Sequence, residues 1–215
     1  MDGLTSAAMN QLALLYQKYP PLEAMRENIL SACELLYETY CNGNKLLVCG
    51  NGGSAADCGH IVGELMKGFE KKRPLPAKEK AQVAALMGEK YANLLQMALP
   101  AIDLTQHHAL STAVANDNAP EMVFAQQVWG YGSPGDVLLC ISTSGNAKNV
   151  CLAALTATAK KMPVVALTGP DGGELAKIAD YAIKVPGEST AQIQEYHLPL
   201  YHALCRALET SFFEE

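Results

Sequence analysis

Three groups of residues in this sequence have the types and spacing to do chemistry. The first is Gly50 to Glu64, GNGGSAADCGHIVGE, where a glycine-rich turn ends an apolar run and opens a helix carrying His60 and Glu64 four residues apart. One helical turn separates them, so both side chains project from one face near the turn. Such a turn can hold an anion, because backbone N–H groups and the positive helix end face it and missing Cβ atoms let it come close. The second is Ser142-Thr143-Ser144-Gly145-Asn146, three hydroxyls beside another helix start. Hydroxyls with backbone N–H groups can bind phosphate without lysine. Far along the chain Gln194 and His202 stand eight residues apart, about two turns of helix, and can share one side of it. Pro199 lies between them and cannot donate to the Glu195 carbonyl, so a kink or altered local hydrogen bonding is expected there. The chemistry these groups suggest is proton transfer on a molecule held by its phosphate.

Taken singly, each feature has an ordinary structural explanation. Glycine turns and Ser/Thr caps are common in loops, and a lone His or Glu on a helix is more often packed or solvated than functional. Gly50, Gly52 and Ala55 also fit the dinucleotide pattern G-x-G-x-x-A, which calls for an acidic residue about 20 positions on, at the end of a second strand. Glu70 falls at that distance but within the charged FEKKR stretch, with no strand before it. That disfavours a dinucleotide.

The elements that must position these residues are legible in the hydrophobic pattern. KLLVCG, AIDLT, GDVLLCIST, MPVVALTG and DYAIKVP, beginning at Lys45, Ala101, Gly135, Met162 and Asp180, are short runs with little polar alternation. Such strands are buried on both faces. With helical segments between them they predict a parallel sheet in a three-layer α/β domain. In such sheets ligands settle beyond the carboxyl ends of strands, where both phosphate-binding candidates lie. The first 41 residues read as two helices separated by Pro20-Pro21, and Asn42-Gly43-Asn44 ends the second. Ser189 and Gln192 form a candidate capping box at the head of the final helix. Between Pro76 and Pro100, Val83, Leu86, Met87, Leu94 and Met97 suggest an inserted helix, serving as a lid or a subunit contact.

The bulk numbers bound the rest. A chain of 215 residues, 49% hydrophobic, buries one substantial core, so residues 1–215 are expected to form a single domain, with a helical hairpin over 1–44 and the insertion over 76–100. No apolar run approaches the roughly 20 residues that cross a bilayer, and the N-terminus lacks a secretory layout, which leads to an expected cytoplasmic location. Seven cysteines without C-x-x-C spacing are expected to be reduced and mostly buried. A net charge of −6, with no basic block longer than Lys71-Lys72-Arg73, argues against nucleic acid or an anionic membrane as partner.

GNGGSAAD with His60 and Glu64, AND at Ala115 to Asp117, ISTSGN at Ile141 to Asn146, LTGPDGG at Leu167 to Gly173, and IQEYH at Ile193 to His197 with His202 beyond resemble the sugar isomerase (SIS) domain family, and within it the isomerases of sedoheptulose 7-phosphate. The likeness runs from about Leu12 to Phe212, and the spaced combination is far more specific than any one motif. It implies a flavodoxin-like α/β fold, a three-layer αβα sandwich with a five-stranded parallel sheet and long N- and C-terminal helices. The implied activity is interconversion of sedoheptulose 7-phosphate and glycero-manno-heptose 7-phosphate, in a homotetramer with sites at subunit interfaces.

By the same resemblance Ser142, Thr143 and Ser144 take the phosphate. Asn51, Gly52, Gly53, Ser54, Asn116, Asp117 and Gln194 line the substrate, and the zinc positions fall on His60, Glu64, Gln194 and His202. Moving a carbonyl between C2 and C1 needs a base, an acid and stabilisation of the enediolate between them; Glu64 suits the base and His202 the acid. A firm metal ligand is not a free base, so the two roles of Glu64 conflict. Ala147 stands where the family often has a serine, with Lys148 beside it as a replacement, and Ala191 where some members have an aspartate. A non-catalytic sugar-phosphate sensor or protein-docking member of the fold, or an isomerase or lyase for another phosphosugar, are the alternatives.

Overall fold

The computed structural model describes residues 3–213. Five strands form one all-parallel sheet: β1 (Leu46–Gly50), β2 (Ala101–Asp103), β3 (Val137–Ser142), β4 (Val164–Thr168) and β5 (Tyr181–Lys184), in the spatial order β2-β1-β3-β4-β5. Every expected strand is present. β1, β3 and β4 are buried at every residue, because helices cover both faces and leave no side of the strand for water. The chain order reverses between β1 and β3, which pair in register from Leu46↔Val137 to Gly50↔Ile141. This is the switch point at which a cleft opens beyond the strand ends, and it lies between the two phosphate-binding candidates.

The helices divide between two layers with separate apolar cores. On one face α1 (Ser6–Lys18), α2 (Arg26–Cys41), α3 (Gly53–Met66) and α10 (Thr190–Phe212) pack around Leu12, Ile29, Leu36, Leu65, Leu200 and Leu204. On the other, α7 (Val123–Tyr131) and α8 (Lys148–Ala159) pack around Phe124, Val128, Val150 and Ala154. A 3₁₀ segment, Pro20–Met25, joins α1 to α2 where the proline pair was expected to separate the helices. Thr5 caps α1 by accepting from Ala8 N at 3.2 Å.

The head of α10 is fastened by a variant of the expected capping box. Ser189 Oγ accepts from Gln192 N at 3.3 Å, but the Gln192 side chain reaches one residue further back, to Glu188 N at 2.8 Å. The helix then runs 23 residues without interruption through Pro199. Five of the seven cysteines are buried, all are free, and Cys41 alone is exposed.

The segment between Pro76 and Pro100 is not one helix. It holds α4 (Ala77–Met87) and α5 (Glu89–Ala92), separated by Gly88 at φ 86°, a left-handed conformation that favours glycine. No residue of α4 is buried, and Leu86, Tyr91, Leu94 and Leu95 are exposed. The periodicity in the sequence came from an apolar stripe that this chain does not cover. The short helices α6 (His108–Asp117) and α9 (Leu175–Ile178) complete the order, and among the described residues no helix is long and apolar enough to cross a membrane.

Candidate active site

The turn after β1 and the turn after β3 face each other across the switch point and form the walls of a cleft of about 320 Å³. Asn51, Gly52, Gly53 and Ser54 line it from β1, and Ser142, Thr143, Ser144 and Ala147 from β3. Thr190 and Gln194 close it from α10. Gly50 must be glycine because a Cβ there would stand 3.0 Å from the Ile141 carbonyl oxygen on the neighbouring strand. Gly52 sits at φ 56° and turns the chain into α3. A Cβ on Gly53 would run into the Gln194 carboxamide, so the absence of a side chain there is what admits Gln194 to the cleft. A larger hollow of about 690 Å³ lies beside Arg26 and Lys184, but no glycine or hydroxyl turn lines it and its Glu23 carboxylate is tied to Arg26 at 2.7 Å, so size alone does not choose the site.

Asn149 was not singled out in the sequence. Its carboxamide exchanges two hydrogen bonds of 2.9 Å with that of Asn51 and ties the two turns together. Lys148 does not replace the missing serine hydroxyl at Ala147: it is exposed and pairs with Glu121 at 3.1 Å. Asn116 and Asp117 end α6, exposed and bonded to each other at 2.8 Å, outside the cleft walls. Ala191 is exposed on the first turn of α10.

The ionisable residues gather further along the same two helices. His60 Nε2 lies 3.3 Å from Glu64 Oε1 and 3.4 Å from His202 Nε2. His60 Nδ1 lies 2.9 Å from the Tyr201 hydroxyl, which donates to Asp57 Oδ1 at 3.2 Å. Glu64 Oε2 is buried without a hydrogen-bond partner, and its nearest cation is Lys67 Nζ at 3.5 Å. Burial, reinforced by the His60 ring and Arg206, holds the His202 imidazole below its ordinary pKa against the pull of Glu64 and Glu70. A neutral imidazole can still donate its N–H to a developing oxyanion.

Helices α3 and α10 run side by side in the same direction: Gly53 meets Gln194, His60 meets His202, and beyond α3 Phe69 meets Glu209. The structure therefore brings His60, Glu64 and His202 together and leaves Gln194 two turns away, about 12 Å along the helix axis. His202 opens into a separate hollow of about 490 Å³ shared with Leu14, Lys18, Leu198 and Arg206.

The far end of this helix pair is fixed by a buried ion pair. Arg73, 1% exposed, donates Nε to Glu209 Oε1 at 2.9 Å and its guanidinium nitrogens to the Leu65 and Glu64 carbonyls at 2.7 and 3.0 Å. Glu209 also accepts from the backbone N–H groups of Phe69, Glu70 and Lys71. Arg73 thus satisfies the last carbonyls of α3. It closes what reads in sequence as a solvated basic run, and its burial was not legible there. Glu70, the residue at the dinucleotide distance, pairs with Arg206 at 2.6 Å.

Tyr201 and Asp57 are the other residues that sequence reasoning passed over. Asp57 precedes His60 by three positions on α3, which places the two on one face, and a tyrosine in an apolar helix needs a partner for its hydroxyl. Those two signals were present.

The chain can be compared with known proteins on this footing. The SIS domain pattern matches residues 20–87 and 79–169. This chain belongs to the SIS domain family. It is similar to the phosphoheptose isomerase of Shewanella sediminis, 41% identical over 196 residues that cover 90% of this chain and 88% of that protein. The phosphoheptose isomerase of Shewanella baltica is 39% identical over 201 residues, 92% of this chain and 90% of that protein. Among solved structures, the SIS fold seen here aligns with a phosphoheptose isomerase from Neisseria gonorrhoeae at a TM-score of 0.72 and 34% identity, covering 95% of this chain and 96% of that one. A phosphoheptose isomerase from Francisella tularensis aligns at 0.74 and 34%, covering 89% and 90%.

Metal binding in this SIS chain can be judged from its donors. Two imidazole nitrogens and a carboxylate oxygen are ligands of the kind zinc takes, and four tetrahedral donors at about 2.0–2.1 Å from a zinc ion stand roughly 3.3–3.4 Å apart. The His60–Glu64 and His60–His202 separations match two such edges. As they stand, no three His, Cys, Asp or Glu side chains among the described residues form a group that could hold a metal ion, and Gln194 lines the cleft between the two turns instead.

Proposed function

We propose that this protein is an aldose–ketose isomerase that interconverts sedoheptulose 7-phosphate and glycero-manno-heptose 7-phosphate. The observation that carries the reading is the meeting of Glu64 and His202 on His60, two helical turns from a strand-end cleft lined by Ser142, Thr143 and Ser144. In this substrate the phosphate is on C7 and the reacting carbons are C1 and C2, so the chemistry must lie at the far end of an extended sugar. A gap of about 12 Å along α10 suits a seven-carbon chain better than a three-carbon one. The high coverage of phosphoheptose isomerases at 39–41% identity supports the same choice.

In this reading the cleft binds the phosphate through the three hydroxyls and the turn at Asn51 to Ser54, and Gln194 marks its border with the sugar. Asn116 and Asp117 remain candidates for the outer hydroxyls. Glu64 removes the proton next to the carbonyl. Its Oε2 is buried, so the oxygen that can take the proton is Oε1, 3.3 Å from His60 Nε2. His202 protonates the other side and donates to the enediolate oxygen as it forms. Zinc held by His60, Glu64 and His202 would supply Lewis-acid polarisation of the carbonyl, but the three side chains form no metal-holding group as they stand and a Glu64 held as a ligand would no longer be the free base, so no step is drawn through it.

The protein is further proposed to work as a homotetramer. Leu14 of α1 and Leu198 of α10 are exposed at 54% and 41% on the rim of the hollow into which His202 opens, which favours a neighbouring subunit covering it.

The test is incubation of the purified protein with a panel of ketose phosphates, with and without zinc, while aldose formation and exchange of a C1 proton with solvent are followed. Turnover of sedoheptulose 7-phosphate with exchange is expected. An inert sedoheptulose 7-phosphate that wild type and Glu64→Gln bind equally would overturn the reading in favour of a sensor.

A further inference from the structure

The motif LTGPDGG, Leu167 to Gly173, has no place in the chemistry described so far. It runs from the end of β4 into the loop of residues 169–174, and no residue of that loop lines the phosphate cleft. The loop lies instead against the back of the hydroxyl turn. Gly169 N donates to the Thr143 carbonyl and Leu175 N to the Gly145 carbonyl, both at 2.9 Å. Between these two bonds the Asn146 carboxamide donates Nδ2 to the Ser144 carbonyl at 3.0 Å and accepts from Glu174 N at 3.1 Å. The fit is backbone on backbone: a Cβ on Gly145 would run into the Gly172 carbonyl, and one on Gly173 into the Ser144 carbonyl.

The carbonyls of the turn can be accounted for one by one. Ser142 O accepts from Gly145 N at 3.0 Å within the turn, and the next three accept from Gly169, Asn146 and Leu175, none of which lines the cleft. A carbonyl oxygen carries partial negative charge and repels a phosphate, so a turn that is to hold one must keep its acceptors engaged elsewhere. Asn146 also fixes a hydroxyl. Its backbone N–H donates to Ser144 Oγ at 3.2 Å, which occupies an acceptor site and leaves the hydroxyl proton to be given to a ligand.

We propose that Asn146 is the positioning residue of the phosphate cleft, clamping the hydroxyl turn to the loop of residues 169–174 so that donors and not carbonyls face the anion. It stands outside the cleft walls and acts through Ser144. Of the groups that engage these carbonyls from outside the cleft, Asn146 alone uses a side chain for it, so a substitution can remove its bonds without touching the backbone. Glu64 and His202 sit on α3 and α10, so the loss should appear in binding of the phosphate end and not in proton transfer. The inference rests on the reading of this cleft as the phosphate site, but not on the reaction carried out at the other end of the substrate.

The experiment is calorimetric titration of inorganic phosphate into purified wild type, Asn146→Ala and Asn146→Asp, with steady-state kinetics on sedoheptulose 7-phosphate beside it. Asn146→Ala loses two hydrogen bonds of ordinary strength, so phosphate affinity should fall about tenfold, KM should rise by the same factor, and kcat should change little. Asn146→Asp keeps an acceptor for Glu174 N, loses the donor to Ser144 and brings a negative charge, and should bind phosphate more weakly still. A wild type that binds no phosphate overturns the proposal. So does an Asn146→Ala that binds phosphate as the wild type does, or one in which kcat falls while KM stays. If phosphate affinity responds as expected and no ketose phosphate is turned over, the isomerase reading fails while the clamp stands.

Discussion

His60 and His202, 142 positions apart in the chain, bring their Nε2 atoms within 3.4 Å of each other. Glu64 reaches the same nitrogen from one turn further along α3, at 3.3 Å. A carboxylate and two imidazoles on one spot form a proton-transfer site only if each is separately needed. Glu64→Gln keeps the shape of the side chain and removes the base, so kcat for sedoheptulose 7-phosphate should fall about 10²- to 10⁴-fold with little change in substrate affinity. Rates of aldose formation and equilibrium binding to the variant check this, and a variant with near wild-type kcat would remove Glu64 from the mechanism.

Gly53 and Gln194 share a space with no room for a methyl group. Gly53→Ala should push aside the free end of a flexible side chain and leave the backbone in place, so stability should change by no more than about 0.5 kcal/mol. The displaced carboxamide should instead raise KM. Urea unfolding together with steady-state kinetics separates the two, and an unchanged KM would show that Gln194 does not border the substrate.

Arg73 and Glu209 are buried together, so removing one leaves the other charged and unpaired. Glu209→Gln should destabilise the fold by about 3–5 kcal/mol. The same substitution should loosen the last turn of α3, which Arg73 holds by the Glu64 and Leu65 carbonyls. Chemical denaturation measures the loss, and a cost below about 1 kcal/mol would contradict the bracing role.

His197 is fully buried, its Nε2 lies 3.4 Å from the Thr168 carbonyl, and Nδ1 has no partner. Burial pushes its pKa down to about 4, with the Thr168 carbonyl opposing. The folded value lies below the unfolded one near 6.5, so the unfolded chain takes up the proton first. The stabilisation by neutral His197 is therefore fully present above about pH 6.5 and is lost as pH falls toward 4, by about 3 kcal/mol in all. Thermal or urea unfolding across that window should show a steeper fall for wild type than for His197→Gln. Parallel curves would show that His197 does not titrate on unfolding.

Much of the fold was legible in the sequence. The strands announced themselves because a sheet covered on both faces leaves little polar alternation, and the turns at Gly50–Ser54 and Ser142–Asn146 because they need glycine and hydroxyls. The stretch from Pro76 to Pro100 misled for a related reason. An apolar stripe records that something covers a surface, not that the same chain does, and here the stripe is broken at Gly88 and left exposed.

What the sequence determined by itself was the chemistry available: an anion-holding turn, a row of hydroxyls, and a carboxylate with imidazoles at helical spacing. These follow from residue type and from the fixed periods of helix and strand, which are local properties of the backbone. Tertiary structure alone decided which of those groups meet. The parallel packing of α3 against α10 sets His60 on His202 and Gln194 beside Gly53, buries Arg73 on Glu209, and places Tyr201 between Asp57 and His60. The physical reason is that a contact between residues so far apart in the chain depends on how two apolar faces fit together, and that fit is a property of the whole core.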